Sequence, residues 1–192
     1  MNLHEICCFR KKSGPVNLFK SFTVSMKTMS VALVLACLLA FASAAAGQTI
    51  GGHIGFVLPL VTRSDGQTTT LSDSFAIGFP AGVTVKGPGR LAFDMEFVPL
   101  VQNSPRSVTL TVHPGFVESV GHGFAVGARA AFVVNSAEVG FTPLVNKSWP
   151  IKKGGLFKAY FVEADLPVRF NRPPGGPDTT PVTFAMHFGV GF

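Results

Sequence analysis

The sequence predicts an all-β fold: a closed antiparallel up-and-down transmembrane β-barrel of about eight strands. Three observations predict it. Large apolar residues recur at every second position over most of the chain after residue 46. Side chains alternate faces in a strand, whereas a helix repeats its apolar face every 3.6 residues. The positions between them are often Gly or Ala (Gly51, Gly55, Ala76, Gly78, Gly82, Ala125, Gly127, Ala131, Gly189, Gly191) with a few opposed charges. The length beyond residue 46 suits about eight strands of roughly ten residues with turns. Charged residues make up 14% of the 192-residue chain, well below the ~25% of soluble domains, which argues against disorder or a coiled coil.

The first segment is of another kind. From Ser30 to Ala46 nearly every residue is small or apolar; Lys27 precedes the run, and Ala42-Ser43-Ala44 or Ala44-Ala45-Ala46 supplies a small-x-small exit. A basic start, an apolar middle and a small-residue exit are the parts of a secretory signal peptide, here residues 1–46. Its tidiest form begins at Met26, so residues 1–25 are either a long basic lead or the product of a misassigned start; the second is favoured. A retained membrane anchor is disfavoured by the Ala cluster and the polar residues after it. A lipidated Cys37 is disfavoured by the apolar residues that follow it.

Removing this segment alters the charge balance. The whole chain carries 16 Lys+Arg against 10 Asp+Glu. Arg10, Lys11, Lys12, Lys20, Lys27 and Glu5 lie in 1–46, which leaves 11 basic and 9 acidic residues, a net charge of +2. That small, scattered excess removes the electrostatic basis for nucleic-acid binding. Cys7, Cys8 and Cys37 also lie in 1–46, so residues 47–192 hold no disulfide, zinc-thiolate site or cysteine nucleophile.

Strand candidates follow in order. Ile50, Ile54, Phe56, Leu58 and Leu60 share a face, as do Phe75, Ile77, Phe79, Val83 and Val85. Leu91, Phe93, Met95, Phe97 and Val101 form the third set and Val108, Leu110, Val112 and Phe116 the fourth. Phe124, Val126, Ala128, Ala130, Phe132 and Val134 make the fifth; Val139, Phe141 and Val145 a weaker sixth. Leu156, Tyr160, Val162, Leu166, Val168 and Phe170 make the seventh, and the even positions from Val182 to Phe192 the eighth. Turn chemistry separates them at Asp65-Gly66, Lys86–Gly89, Asn103-Ser104-Pro105, Asn135-Ser136 and Asn171–Thr180. The polar stretch Thr62–Ser74 and the stretch Asn171–Thr180 are expected as loops at one end.

The opposite faces decide the solvent. A soluble sandwich turns its large apolar faces inward and wets the polar ones. Small residues with opposed charges suit a narrow interior instead, and then the apolar face meets lipid. Arg90, Asp94, Glu96, Arg129, Glu138, Glu163, Asp165 and Arg169, with Lys86 as a further candidate, are expected to point into that interior. They would pair across strands, because a buried charge requires a partner. Eight strands leave a lumen that side chains fill, so no wide pore is expected.

The last strand carries a resemblance. Phe184, Met186, Phe188, Val190 and the terminal Phe192 resemble the C-terminal assembly signal of Gram-negative outer-membrane β-barrels. With the signal segment and the strand pattern, the chain resembles the small eight-stranded members of that family. The resemblance implies export to the outer membrane, contact with its lipid, and recognition of the last strand by the barrel-assembly machinery. It implies a structural, adhesive or small-ligand role; oligomeric state is left open. The chain departs from the family in having one Tyr and one Trp (Tyr160, Trp149) where girdles of both are usual. It departs again in placing Pro59, Pro80, Pro99, Pro114, Pro143 and Pro167 within strands. The strings at Leu58–Val61, Val98–Val101 and Thr142–Val145 are spaced as a hairpin repeat would be, which leaves the strand count open.

Two other readings remain. A secreted or periplasmic soluble β-sandwich or lipocalin-like binding protein would bury the same apolar faces. A lipid-modifying barrel enzyme would need His, Ser and an acid together, and no local arrangement supplies them. GxSxG, P-loop and dinucleotide fingerprints are absent. His53, His113, His122 and His187 lie far apart with no HxH or HExxH spacing, so neither a metal nor a cofactor is expected. His187 reads as a satisfied interior histidine.

Overall fold

Alternating apolar residues bounded by Gly, Pro, Asn and Asp become extended strands, hydrogen-bonded to one another in a single antiparallel sheet. The structure is a computed structural model and describes residues 47–152, 155–172 and 175–192; the expected signal segment, 1–46, lies outside the described residues. Eleven strands follow in order: β1 (Thr49–Ser64), β2 (Gln67–Thr70), β3 (Ala76–Gly78), β4 (Ala81–Lys86), β5 (Leu91–Asn103), β6 (Arg106–Gly121), β7 (Phe124–Val133), β8 (Val139–Pro150), β9 (Ala159–Asp165), β10 (Val168–Phe170) and β11 (Val182–Gly191). All pairings are antiparallel, and β1 pairs with β11 through ten residue partners from His53↔Gly191 to Arg63↔Val182. The sheet therefore closes into a ring of eight strand positions. β3 and β4 share the second position and β9 and β10 the seventh. β2 folds back on the end of β1. Closure leaves the ring without free edges.

Four of the strand prolines fit the closed ladder as acceptors. Phe79 N–H donates to the Pro99 carbonyl, Gly55 N–H to Pro80, Leu166 N–H to Pro143 and Thr183 N–H to Pro167, all at 2.9–3.0 Å. Each pair thus keeps one of its two hydrogen bonds. Pro80 and Pro167 interrupt strands without shifting register: Gly78↔Leu100 and Ala81↔Phe97 stay in step across Pro80. Pro59 differs, because a bulge lies between Pro59 and Val61 in the pairing with β11. One extra residue reverses the alternation beyond it, so Val61 pairs with Phe184 and Thr62 bonds Thr183 inside the ring at 2.9 Å.

Several segment bounds differ from the sequence reading. The stretch Thr62–Ser74 is a loop only in part: Ser64↔Gln67 closes a two-residue turn with Asp65 at φ 51° and Gly66 at φ 79°, the pair of positive angles a twist-matched hairpin requires. Residues 146–150, beyond the last apolar residue of the sixth set, extend β8 opposite β9. Leu156 lies in the connection before β9 and is exposed. The three Pro-Leu-Val strings fall on the first, third and sixth ring positions, so they are not a hairpin repeat and the count of eight stands.

The ring is polar inside and apolar outside. Among the described residues, thirty large apolar or aromatic side chains are 37–78% exposed, including Phe56, Phe97, Phe116, Phe132 and Phe141. The buried set instead holds His53, Asp94, Glu96, His113, Arg129, Thr142, Glu163, Asp165 and His187 beside a few small or aliphatic residues and Phe161, whose ring packs against His53 and His187. Outer rings pair across strands, as in Phe56 stacked on Phe188 at 5.4 Å and Phe93 against Phe116 at 5.6 Å. The single Trp and single Tyr, Trp149 and Tyr160, stack on each other at 5.2 Å near the end where β1 starts and β11 finishes. There Lys147 Nζ lies 4.2 Å above the Phe124 ring.

Candidate functional site

The site is the layer of charge across the interior, and every position of the ring supplies part of it. Arg129 stands on β7 and reaches past both neighbours. Its Nε donates to Asp94 on β5 at 2.8 Å and its Nη1 to Glu163 on β9 at 2.7 Å. Nη1 also lies 3.7 Å from Glu96 and 4.0 Å from Asp165. Thr84 on β4 donates to Asp94 at 2.7 Å, and Asn146 on β8 donates to Glu163 at 3.1 Å. The four acids and Arg129 are only 2–6% exposed. A lone ion at such depth would cost several kcal/mol, so the fork of Arg129 between two carboxylates is what makes their burial tolerable.

Three histidines from three strands complete the layer. His53 Nε2 on β1 lies 3.1 Å from Glu96 Oε1, with Nδ1 3.8 Å from Asp94. His113 on β6 places Nδ1 3.3 Å from Glu96 and Nε2 3.1 Å from Arg169 Nη2. A guanidinium only donates, so Nε2 of His113 accepts and its proton sits on Nδ1, facing Glu96. His187 on β11 places Nδ1 3.4 Å from Glu163 and 3.7 Å from Glu96. Two glycines make room directly opposite the bulkiest groups: Gly82 is the partner of His53 and Gly115 the partner of Arg129. A Cβ on Gly82 would lie 2.2 Å from the His53 ring, and one on Gly115 2.4 Å from the Ala128 carbonyl.

Of the expected interior charges, Asp94, Glu96, Arg129, Glu163 and Asp165 meet in this layer. Arg169 sits at its side, bonded to Thr142 and His113. Arg90, Glu138 and Lys86 do not join it. Arg90 precedes β5 and Lys86 ends β4, and both line the second interior cavity beside Asp94 and Arg129 rather than bonding within the layer; Glu138 precedes β8 and is half-buried. His187 is not a satisfied interior histidine: it is 1% exposed and its Nε2 has no hydrogen-bond partner. The convergence of His53, His113 and His187 escaped the spacing test because that test reads local sequence. Their shared inward parity was the available signal. His122 lies apart, in the two-residue turn between β6 and β7.

The charge layer divides the interior. A cavity of about 480 Å³ lies on the side of the β1–β2 hairpin, walled by residues such as Val57, Val98, Leu100 and Ala185, with Asp165 and Arg169 at its base. A second, of about 260 Å³, lies toward the start of β1 and the end of β11, beside Thr84, Asp94 and Asn146. Arg129 borders both. The C-terminal positions Phe184, Met186, Phe188 and Val190 alternate with the inward Ala185 and His187 on β11; Phe192 exchanges backbone hydrogen bonds with Gly52 at 2.9 and 3.1 Å.

Comparison of the chain with protein-family models, curated proteins and solved structures gives no match in any of the three.

Proposed function

We propose that residues 47–192 form an exported outer-membrane β-barrel whose lumen is plugged by charge pairs and whose β1–β2 end holds a small ligand. The observation that carries this reading is the reversal of faces: apolar rings outside, ions and imidazoles inside. A soluble sandwich or lipocalin-like protein gains about 1.5–3 kcal/mol for each large apolar side chain it removes from water. Leaving so many on the outer surface forfeits that gain in water but not in lipid. The stacked Trp149–Tyr160 pair and Lys147 at one end suit a membrane–water interface. Phe184, Met186, Phe188, Val190 and Phe192 would present the last strand to the assembly machinery.

Among structural, adhesive and small-ligand roles, the cavity of about 480 Å³ favours the last. Its size falls in the range of small-molecule sites, and its lining mixes aliphatic residues such as Val98 and Leu100 with many polar ones, from Thr62 to His187. Solute conduction is disfavoured because the charge layer crosses the whole interior. The test is to express the chain with its leader, fractionate the envelope, and compare boiled with unboiled samples on a detergent gel. The reading expects the protein in the outer-membrane fraction with heat-dependent mobility. Recovery in the aqueous periplasmic fraction, with one mobility, would overturn it.

A further inference from the structure

We infer that Glu163, Asp165 and His187 form a binding site for a first-row divalent cation such as Zn²⁺. One donor atom from each of the three lies within 4.8 Å of the others, and all three residues are buried. Register explains the cluster: Glu163 and Asp165 are on the same face of β9, and His187 on β11 is the direct partner of Glu163. Only two buried side-chain polar atoms among the described residues lack a hydrogen-bond partner: Asp165 Oδ1 and His187 Nε2. Both belong to this trio. Buried polar atoms are nearly always paired, so two unpartnered atoms on nearby side chains of metal-ligating chemistry point to a cation as the partner of this trio.

Charge balance agrees. The layer holds four carboxylates (Asp94, Glu96, Glu163, Asp165) against two guanidinium groups (Arg129, Arg169). Carboxylates thus outnumber guanidinium groups in the layer, and metal binding would displace any proton they hold. One nitrogen and two carboxylate oxygens suit borderline ions of the zinc, cobalt and manganese kind better than calcium or magnesium, which favour all-oxygen sets. Asn146 donates to Glu163 Oε2 at 3.1 Å and orients that carboxylate, the supporting contact a metal ligand needs. Asp165 and His187 both line the larger cavity, which gives the ion a route and leaves the remaining coordination positions to water.

The test uses the full chain in detergent, stripped with chelator and dialysed against Co²⁺ or Zn²⁺ at micromolar free concentration. The expected result is one ion retained per chain. Asp165→Asn and His187→Gln should each lower affinity at least tenfold, while His122→Gln, in an exposed turn, leaves it unchanged. Gel mobility of unboiled samples reports whether each variant has folded. Should the variants fail to fold, Mn²⁺ bound to wild-type chain labelled with ¹⁵N-histidine should show hyperfine coupling to one imidazole nitrogen. No retained ion, binding that persists in both folded variants, loss on His122→Gln, or coupling to no nitrogen would each overturn the site.

Discussion

Arg129 joins strands that do not touch each other, holding Asp94 on β5 and Glu163 on β9 from its place on β7. Removing its charge while keeping its bulk, as in Arg129→Met, leaves those carboxylates buried without a counter-ion. The expected loss is about 3–5 kcal/mol, read as a lower urea midpoint from Trp149 fluorescence in detergent. Arg129→Lys should fall between that variant and wild type, because a point charge cannot fork to both acids. Inward alternation made Asp94, Glu96, Arg129, Glu163, Asp165 and Arg169 legible in the sequence. It also carried Arg90 to the wall of the second interior cavity, one residue before β5 begins. It could not reveal that His53 and His187 share a layer, since their neighbourhood exists only once the first and last strands pair. Outside the strands, Asp73 accepts from the Thr70 hydroxyl and then from the Thr70 amide, and these bonds hold its carboxyl below the ordinary range. With the folded value lowered, that contact is complete at neutral pH and is lost as pH falls through it. The Thr70 amide shift should follow that titration and become pH-independent in Asp73→Asn.

At the scale of the strand, alternation alone located all eight ring positions, because a two-faced pattern survives whichever face meets water. What it could not locate was the bulge at Pro59–Val61, where one extra residue flips the faces beyond it. The prolines were also opaque: nothing local says that Pro80, Pro99, Pro143 and Pro167 would each fall where a partner N–H needs only their carbonyl. Two substitutions separate the outer and inner faces. Phe97, on the outer face of β5 and 45% exposed, stands beside Glu96 at the level of the charge layer. Phe97→Arg should cost about 2–4 kcal/mol if that level is the bilayer midplane, against roughly 0.5 kcal/mol or less for an exposed site in water. Unfolding of the two proteins in detergent and lipid bilayers measures the difference. On the inner face, Gly115→Ala drives a methyl group into the Ala128 carbonyl, which is backbone and cannot rotate away. It should destabilise by about 1–3 kcal/mol in the same assay.

For the molecule as a whole, the ring has two unlike ends. The start of β1, the end of β11 and the short turns at Lys86–Arg90 and His122-Gly123 lie at one end, while the β1–β2 hairpin and the start of β11 lie at the other, beside the larger cavity. The central claim is that the outer face between these ends meets lipid. Residues 47–192 contain no cysteine, so single cysteines can be placed along β5 at Leu91 through Phe97 and spin-labelled in reconstituted bilayers. The account predicts high oxygen accessibility at Phe93, Met95 and Phe97, rising toward Phe97, with low values at Ala92, Asp94 and Glu96. Ready access of a water-soluble relaxation agent to Met95 and Phe97 would contradict it.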